Sequence, residues 1–293
     1  MNQKASSIGV LAAGLLLRSR PARVTRIFQK SAYIRSEEDF LLLLWGGLKS
    51  PMTINIEGRA TTDTIRAEER CQLSENGVTL DSGRIDVRGA DVFRSSLLDR
   101  RRVVLPGREA LKKGVAVVRF LYDVSPSGPT LDKDTALRTL AESTLLPLAS
   151  GESAMAYSPA SYLPLVGRGG GFTPAGDDFI GGLVATFNFI ARCRDAKEIR
   201  IPRTFLRGRT VPESANVLFH SARGYVDEGM ERLILRSLDG GPGFSGELME
   251  VAHRGHTSGM DMSLGVLLCE AAVGDADSGG AVLKDCLEIL WRP

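Results

Sequence analysis

Ser125-Pro126-Ser127-Gly128-Pro129 divides this sequence into two textures. Prolines flanking a glycine interrupt both helix and strand, because proline donates no amide and glycine loses the most backbone freedom on ordering. Before the cluster, β-branched runs and turn dipeptides predominate; after it, helical spacing does. The sequence therefore reads as an α+β protein. A β-rich, barrel-like N-terminal domain is expected over residues 1–128, and a mainly α-helical C-terminal domain over 129–293.

Working upstream, Val115 to Leu121 is a candidate buried strand, and Ile85-Asp86-Val87 another. Asn76-Gly77 is a hairpin dipeptide between Cys71-Gln72-Leu73 and Val78-Thr79-Leu80, since both residues tolerate the positive φ that a tight hairpin needs. Thr53 to Ile56 and Arg23 to Phe28 alternate in period two, and Phe40 to Trp45 is an apolar run closed by Gly46-Gly47. Short strands at this spacing favour a barrel or sandwich. Ile8 to Leu17 is apolar but too short to span a bilayer, and Arg18-Ser19-Arg20-Pro21 follows it instead of a small-residue cleavage pattern. It reads as a packed helix, and the protein as cytoplasmic and not membrane-bound.

Downstream, helices are expected over Leu131–Leu148, Asp178–Arg192, Gly246–Ala252, Met260–Ala272 and Ala281–Trp291. A long helical pattern over Glu213–Leu238 is interrupted by Gly224 and Gly229. The net charge of +2 gives no polyanion footprint, and Arg100-Arg101-Arg102 is too short a run to bind nucleic acid. Cys71, Cys193, Cys269 and Cys286 are far apart, which argues against a disulfide framework or a zinc site. His220, His253 and His256 are not at metal-ligand spacing, and no metal or other cofactor is expected.

The chemistry concentrates in two loops. In Gly167-Arg168-Gly169-Gly170-Gly171-Phe172-Thr173-Pro174-Ala175-Gly176-Asp177-Asp178 a glycine-rich turn runs into a helix start, with Thr173 as N-cap and Pro174 as first helical residue. Backbone amides and the positive end of the helix dipole suit a phosphate or carboxylate. Asp177 and Asp178 complement that dipole, yet they repel an anion unless a substrate amide or a cation such as Mg²⁺ lies between. Being adjacent, they point about 100° apart, so at most one faces a ligand. The loop lacks the lysine of the usual phosphate loop. The second loop, Gly255-His256-Thr257-Ser258-Gly259-Met260-Asp261, repeats the grammar, with Thr257 or Ser258 as cap and Asp261 in the first turn. His256 sits where an acid, a base or a carbonyl-polarising donor belongs, or else it braces its loop through a backbone carbonyl. His253 and His220 read as structural. Thr210-Val211-Pro212-Glu213 reads as a capping box, with Ser214 and Asn216 within reach of a neighbouring site.

The 167–182 stretch resembles the signature of the AllH-like family, and Gly255–Asp261 resembles that family's second signature. The Thr210–Gly229 region and the early Val24–Phe28 strand fit its pattern too. Arg168 and Gly170-Gly171 stand where many members have Gly-Pro-Gly, and Phe172 where leucine is usual. The resemblance implies a subunit of a carbamoyltransferase acting between carbamoyl phosphate and oxamate in purine and allantoin catabolism. FdrA-like and AllG-like subunits are the implied partners, and homo-oligomerisation is left open. In that reading Asp177, Asp178 and His256 are the catalytic candidates. Gly169, Gly170, Gly171, Thr173, Thr257, Ser258 and Asp261 bind substrate and phosphate. The alternatives are a non-catalytic anion-binding or scaffolding subunit, and a metal-assisted lyase or hydrolase using the acidic pair.

Overall fold

A computed structural model describes residues 2–60, 62–99, 101–125, 145, 163–241, 243–255 and 257–291. The chain forms two compact units. One comprises Met1–Ser96 and Tyr225–Glu228, the other Leu97–Gly224 and Gly229–Pro293.

The first unit is a β-barrel. Its strands are β1 (Asn2–Gly9), β2 (Pro21–Phe28), β3 (Ser31–Ser36), β4 (Asp39–Leu44), β5 (Thr53–Ile56), β6 (Arg70–Ser74), β7 (Gly77–Leu80), β8 (Gly83–Asp86) and β9 (Asp91–Phe93). They run in the order β5-β4-β3-β2-β6-β7-β8-β1-β9, and an antiparallel β1–β5 pairing closes eight of them into a ring. β1 achieves this by sharing one edge: Asn2–Lys4 pair with β8, and Ser7–Gly9 with β9. Closure removes the open edges that a sheet of this size would expose. Alternating residues seal the interior, among them Val24, Ile34, Leu43, Ile54, Leu73, Val78 and Ile85.

The expected hairpin is present, with Ser74 opposite Gly77. Gly77 has φ +143°, and a Cβ there would lie 1.9 Å from the Ile85 carbonyl oxygen, so both conformation and space demand glycine. The N-terminal apolar run is a helix only from α1 (Val10–Leu17); Ile8 and Gly9 belong to β1. α1 packs on β1, β4, β6 and β9 of its own unit. At the unit's far segment, the Lys49 amide donates to the Glu228 carboxylate and the Glu228 amide to the Lys49 carbonyl, each at 2.9 Å.

The second unit is helical: α2 (Arg108–Val124), α3 (Ala175–Cys193), α4 (Arg203–Leu206), α5 (Pro212–Ser221), α6 (Glu228–Ser237), α7 (Ser245–Ala252), α8 (Ser258–Ser278) and α9 (Val282–Trp291). α2 corrects the strand expected over Val115–Leu121. Leu111, Val115, Val118 and Tyr122 are buried at steps of three and four, a helical stripe that packs on α8 and α9. The seven apolar-rich residues look strand-like alone because the stripe begins one turn earlier. The helical texture consequently starts upstream of Ser125. Pro126–Pro129 lie outside the described residues, as does the helix expected over Leu131–Leu148 apart from Leu145. The long Glu213–Leu238 pattern is two helices, broken at Gly224 with φ +85°.

α3 and α8 form the centre of this unit. Every residue of α3 from Ala175 to Ala191 is buried. The two backbones meet through reciprocal notches. A Cβ on Gly182 would lie 2.1 Å from the Met262 carbonyl oxygen, and one on Gly265 would lie 2.2 Å from that of Phe179. Both contacts fall within the first two turns of each helix, so the seam brings the loops preceding α3 and α8 together.

The adjacent glycines Gly181 and Gly182 separate propensity from packing. A Cβ on Gly181 meets only Leu218 Cδ2, at 3.9 Å. Gly181→Ala should leave stability unchanged or raise it by up to about 1 kcal/mol, through helix propensity. Gly182→Ala should lower it by about 1–3 kcal/mol or more, because backbone must move. Urea denaturation of the two variants checks this; equal effects would remove the seam from the account.

Candidate functional site

The two glycine-rich loops meet. Thr173 Oγ1, from the first, lies 3.0 Å from Ser258 Oγ, at the start of α8. Beneath this hydroxyl pair are three buried carboxyl groups: Asp177 and Asp178 in the first turn of α3 and Asp261 in that of α8, exposed by 2%, 3% and 0%. Gly169, Gly170 and Gly171, in the first loop, are exposed.

Asp177 and Asp178 diverge as their adjacency requires. Asp177 is bound wholly within the fold. Oδ1 accepts the Gly167 amide at 2.8 Å, and Oδ2 accepts the Ser214 hydroxyl at 2.7 Å and that of Thr210. One carboxylate thus ties the first loop to the start of α5. Burial still raises its pKa above the ordinary carboxyl range, with the three hydrogen bonds opposing that shift. Gly167, at φ +75°, packs against the Arg209 carbonyl, where a Cβ would lie 1.9 Å away.

Asp178 faces the other way. Its Oδ2 accepts the Thr173 hydroxyl at 2.8 Å, and its pKa is pushed up to about 8. Burial is the main cause; Asp261 and Asp177 add repulsion, while Ser258 and Thr173 oppose the shift by hydrogen bonding. Asp261 Oδ1 in turn accepts the phenol of Tyr122, from α2, at 2.5 Å. Burial and the neighbouring Asp261 and Asp178 charges hold that phenol's pKa well above its ordinary value, so Tyr122 remains a hydrogen-bond donor. Tyr122 is the residue that the sequence reading missed, because the strand assigned to Val115–Leu121 stopped one residue short of it.

Two capping expectations are corrected. Thr173 does not cap α3, which begins at Ala175 with Pro174 in the N-cap position. Nor does Thr210 cap α5, whose N-cap is Val211. Both hydroxyls are drawn to buried carboxyl groups, where an unmet acceptor costs more than a terminal helix amide does. The Gly176 amide is satisfied instead by the Arg168 carbonyl at 2.9 Å. At α8, Thr257 occupies the N-cap position without a side-chain cap, and Ser258 turns to Thr173.

His256 lies outside the described residues. His253 Nδ1 is 2.7 Å from the Met249 carbonyl oxygen, and His220 Nε2 is 3.3 Å from Arg203, so both act within the helical framework. Asn216 accepts from Arg203 at 3.1 Å. Among the described residues, no group of three or more His, Cys, Asp and Glu is placed to hold a metal ion. No helix among them is long and apolar enough to cross a membrane.

Residues 165–270 match the family model described as oxamate carbamoyltransferase subunit AllH. This segment is similar to the AllH family. It begins two residues before Gly167 and takes in α3, both glycine-rich loops and α8 as far as Glu270. No curated protein and no solved structure matches the chain. Tyr122 lies outside the AllH segment yet donates directly to a carboxylate within it.

The two aspartates should behave differently on substitution. Asp177→Ala strands three donors and should lower stability by about 3 kcal/mol or more, whereas Ser214→Ala removes one donor and should cost about 1–2 kcal/mol; chemical denaturation compares them. Asp178 keeps its proton to about pH 8 in the fold, well above the ordinary carboxyl range, because it is buried. The unfolded chain releases that proton first, so the stabilisation is complete below about pH 4 and is lost as pH rises towards about 8. Asp178→Asn should remove this part of the slope in melting temperature against pH.

Proposed function

We propose that the chain is an AllH-type subunit of an oxamate carbamoyltransferase-like complex, and that the joined loops bind its carbamoyl substrate. The observation that carries this reading is the Thr173–Ser258 hydrogen bond, which makes the family's two loops one site. In the reaction, the amide nitrogen of oxamate attacks the carbamoyl carbon and a C–N bond forms. The C–O bond to phosphate breaks, and the proton released from nitrogen ends on the departing phosphate, giving oxalurate and phosphate.

The residues divide that work. The exposed Gly169–Gly171 backbone, with Gly169 and Gly171 at φ +94° and +104°, supplies amides to the phosphate, assisted by Thr173. His256 and Thr257 polarise the carbamoyl carbonyl. A neutral Asp178 removes the repulsion that an ionised carboxylate would impose on the phosphate. Asp177 positions the glycine loop and touches no substrate, and Asp261 holds the base of the second loop. FdrA-like and AllG-like subunits complete the enzyme, which serves allantoin breakdown in the cytoplasm.

The burial of all three carboxyl groups favours one further reading, a non-catalytic subunit whose cleft binds a small anion and supports a partner enzyme. Phosphate release from carbamoyl phosphate plus oxamate separates the two. The full chain is assayed alone and with FdrA-like and AllG-like subunits. Turnover that needs this chain, and falls at least about 100-fold in Asp178→Ala while the complex still assembles, is the expected result. Turnover that survives Asp178→Ala with only weaker assembly gives the site to the binding reading. No turnover in any combination ends the catalytic one.

A further inference from the structure

Asp178 and Asp261 stand next to the seam residues Phe179 and Met262, whose carbonyl groups fill the notches at Gly265 and Gly182, and each carboxyl group has its own hydroxyl partner. The Tyr122 phenol is 2.5 Å from Asp261, Thr173 is 2.8 Å from Asp178, and Thr173 is 3.0 Å from Ser258. The two carboxyl groups have unequal neighbours. Asp261, fully buried, receives a committed donor, since a phenol cannot ionise beside two carboxyl groups in a dry site. Asp178 meets hydroxyls that both donate and accept. Two buried carboxyl groups that repel one another cannot both stay ionised cheaply, and a fixed donor on one directs the remaining proton to the other.

We propose that Tyr122 is a positioning residue that places the proton shared by Asp178 and Asp261 on Asp178, from which Thr173 and Ser258 carry it outward to the glycine-rich loop. Asp178 then donates to Thr173 Oγ1, Thr173 to Ser258 Oγ, and Ser258 to the oxygen of a bound anion. As the proton passes, the Asp178 O–H bond breaks, Thr173 and Ser258 each give up one proton and take another, and an O–H bond forms on the anion; Asp178 is left as a carboxylate, and the proton released by the attacking nitrogen restores it. Among the described residues, the titratable groups acting on Asp178 are Asp177 on its own helix, Asp261 on α8 and Tyr122 on α2. Its pKa of about 8 agrees with this placement. The proton's location stands independently of the carbamoyl reaction; its use as a relay rests on that proposed function.

Infrared titration of the full chain reads the protonated carboxyl carbonyl directly. Glu270 must first be silenced. It is fully buried in α8, its Oε1 accepts from Ser237, its Oε2 has no hydrogen-bond partner among the described residues and its pKa is also about 8. In a Glu270→Gln background the band should vanish as pH passes about 8, and Asp178→Asn should abolish it. Asp261→Asn removes the neighbouring charge and should move the midpoint down. Tyr122→Phe fills the same space but withdraws the donor. It should move the midpoint up, because the doubly ionised pair loses more stabilisation than the singly ionised one. A band that survives Asp178→Asn, or a midpoint unmoved by Tyr122→Phe, overturns the assignment; a purely structural tyrosine would leave the midpoint alone. Turnover is the separate arm. Ser258→Ala should keep the band and lower kcat at least about tenfold. Full kcat in Ser258→Ala overturns the relay alone, and absent turnover with the expected band overturns the carbamoyl reading alone.

Discussion

Close approach of the α3 and α8 backbones governs everything else in the helical unit. Helices separated by ordinary side chains pack 8–10 Å apart. Gly182 and Gly265 let carbonyl groups sit where a Cβ would otherwise be. Because both contacts are in the opening turns, the price of the seam is a crowd of polar helix starts in one buried place. Three carboxyl groups, four hydroxyls and a phenol meet there, and each carboxyl group is oriented by at least one of them. The polar cluster and the glycine seam are therefore one feature: neither helix start could reach the other without the notches.

That crowding also explains why the aspartates differ. Adjacent residues on a helix project in different directions, and here the directions lead to different donor sets. Asp177 finds a backbone amide and two hydroxyls and becomes a clamp. Asp178 finds Thr173 and a neighbouring carboxyl group and becomes a weak acid. Local environment, not residue type, assigns the roles, as in other sites where paired carboxyl groups are held at different protonation.

Much of this could be read from the sequence, and the failures share a cause. The barrel strands follow from two-residue alternation and from Asn76-Gly77, which are local. The helix from Asp178 and the kinship of the two glycine loops follow from cap and turn chemistry, also local. Thr173 and Thr210 misled because a hydroxyl near a helix start is a good cap only when nothing more demanding is in reach. The demanding groups were buried carboxyl groups, Asp178 five positions from Thr173 and Asp177 33 positions from Thr210. Val115–Leu121 misled for the complementary reason, since a window of seven residues cuts a helical stripe short. Tyr122 fell just beyond that window, and nothing local marks it as a partner of Asp261, 139 residues later.

The division of the barrel unit between Met1–Ser96 and Tyr225–Glu228 has a consequence for biosynthesis. A ribosome finishes the nine strands long before it reaches Glu228, whose carboxylate and amide meet Lys49. At about 5–20 residues per second, the intervening 97–224 stretch takes roughly 6–26 s to emerge. For that interval Lys49 must rely on water or a chaperone for its hydrogen bonds, and the nascent barrel, though its ring can close through β1 and β5, lacks this one tie.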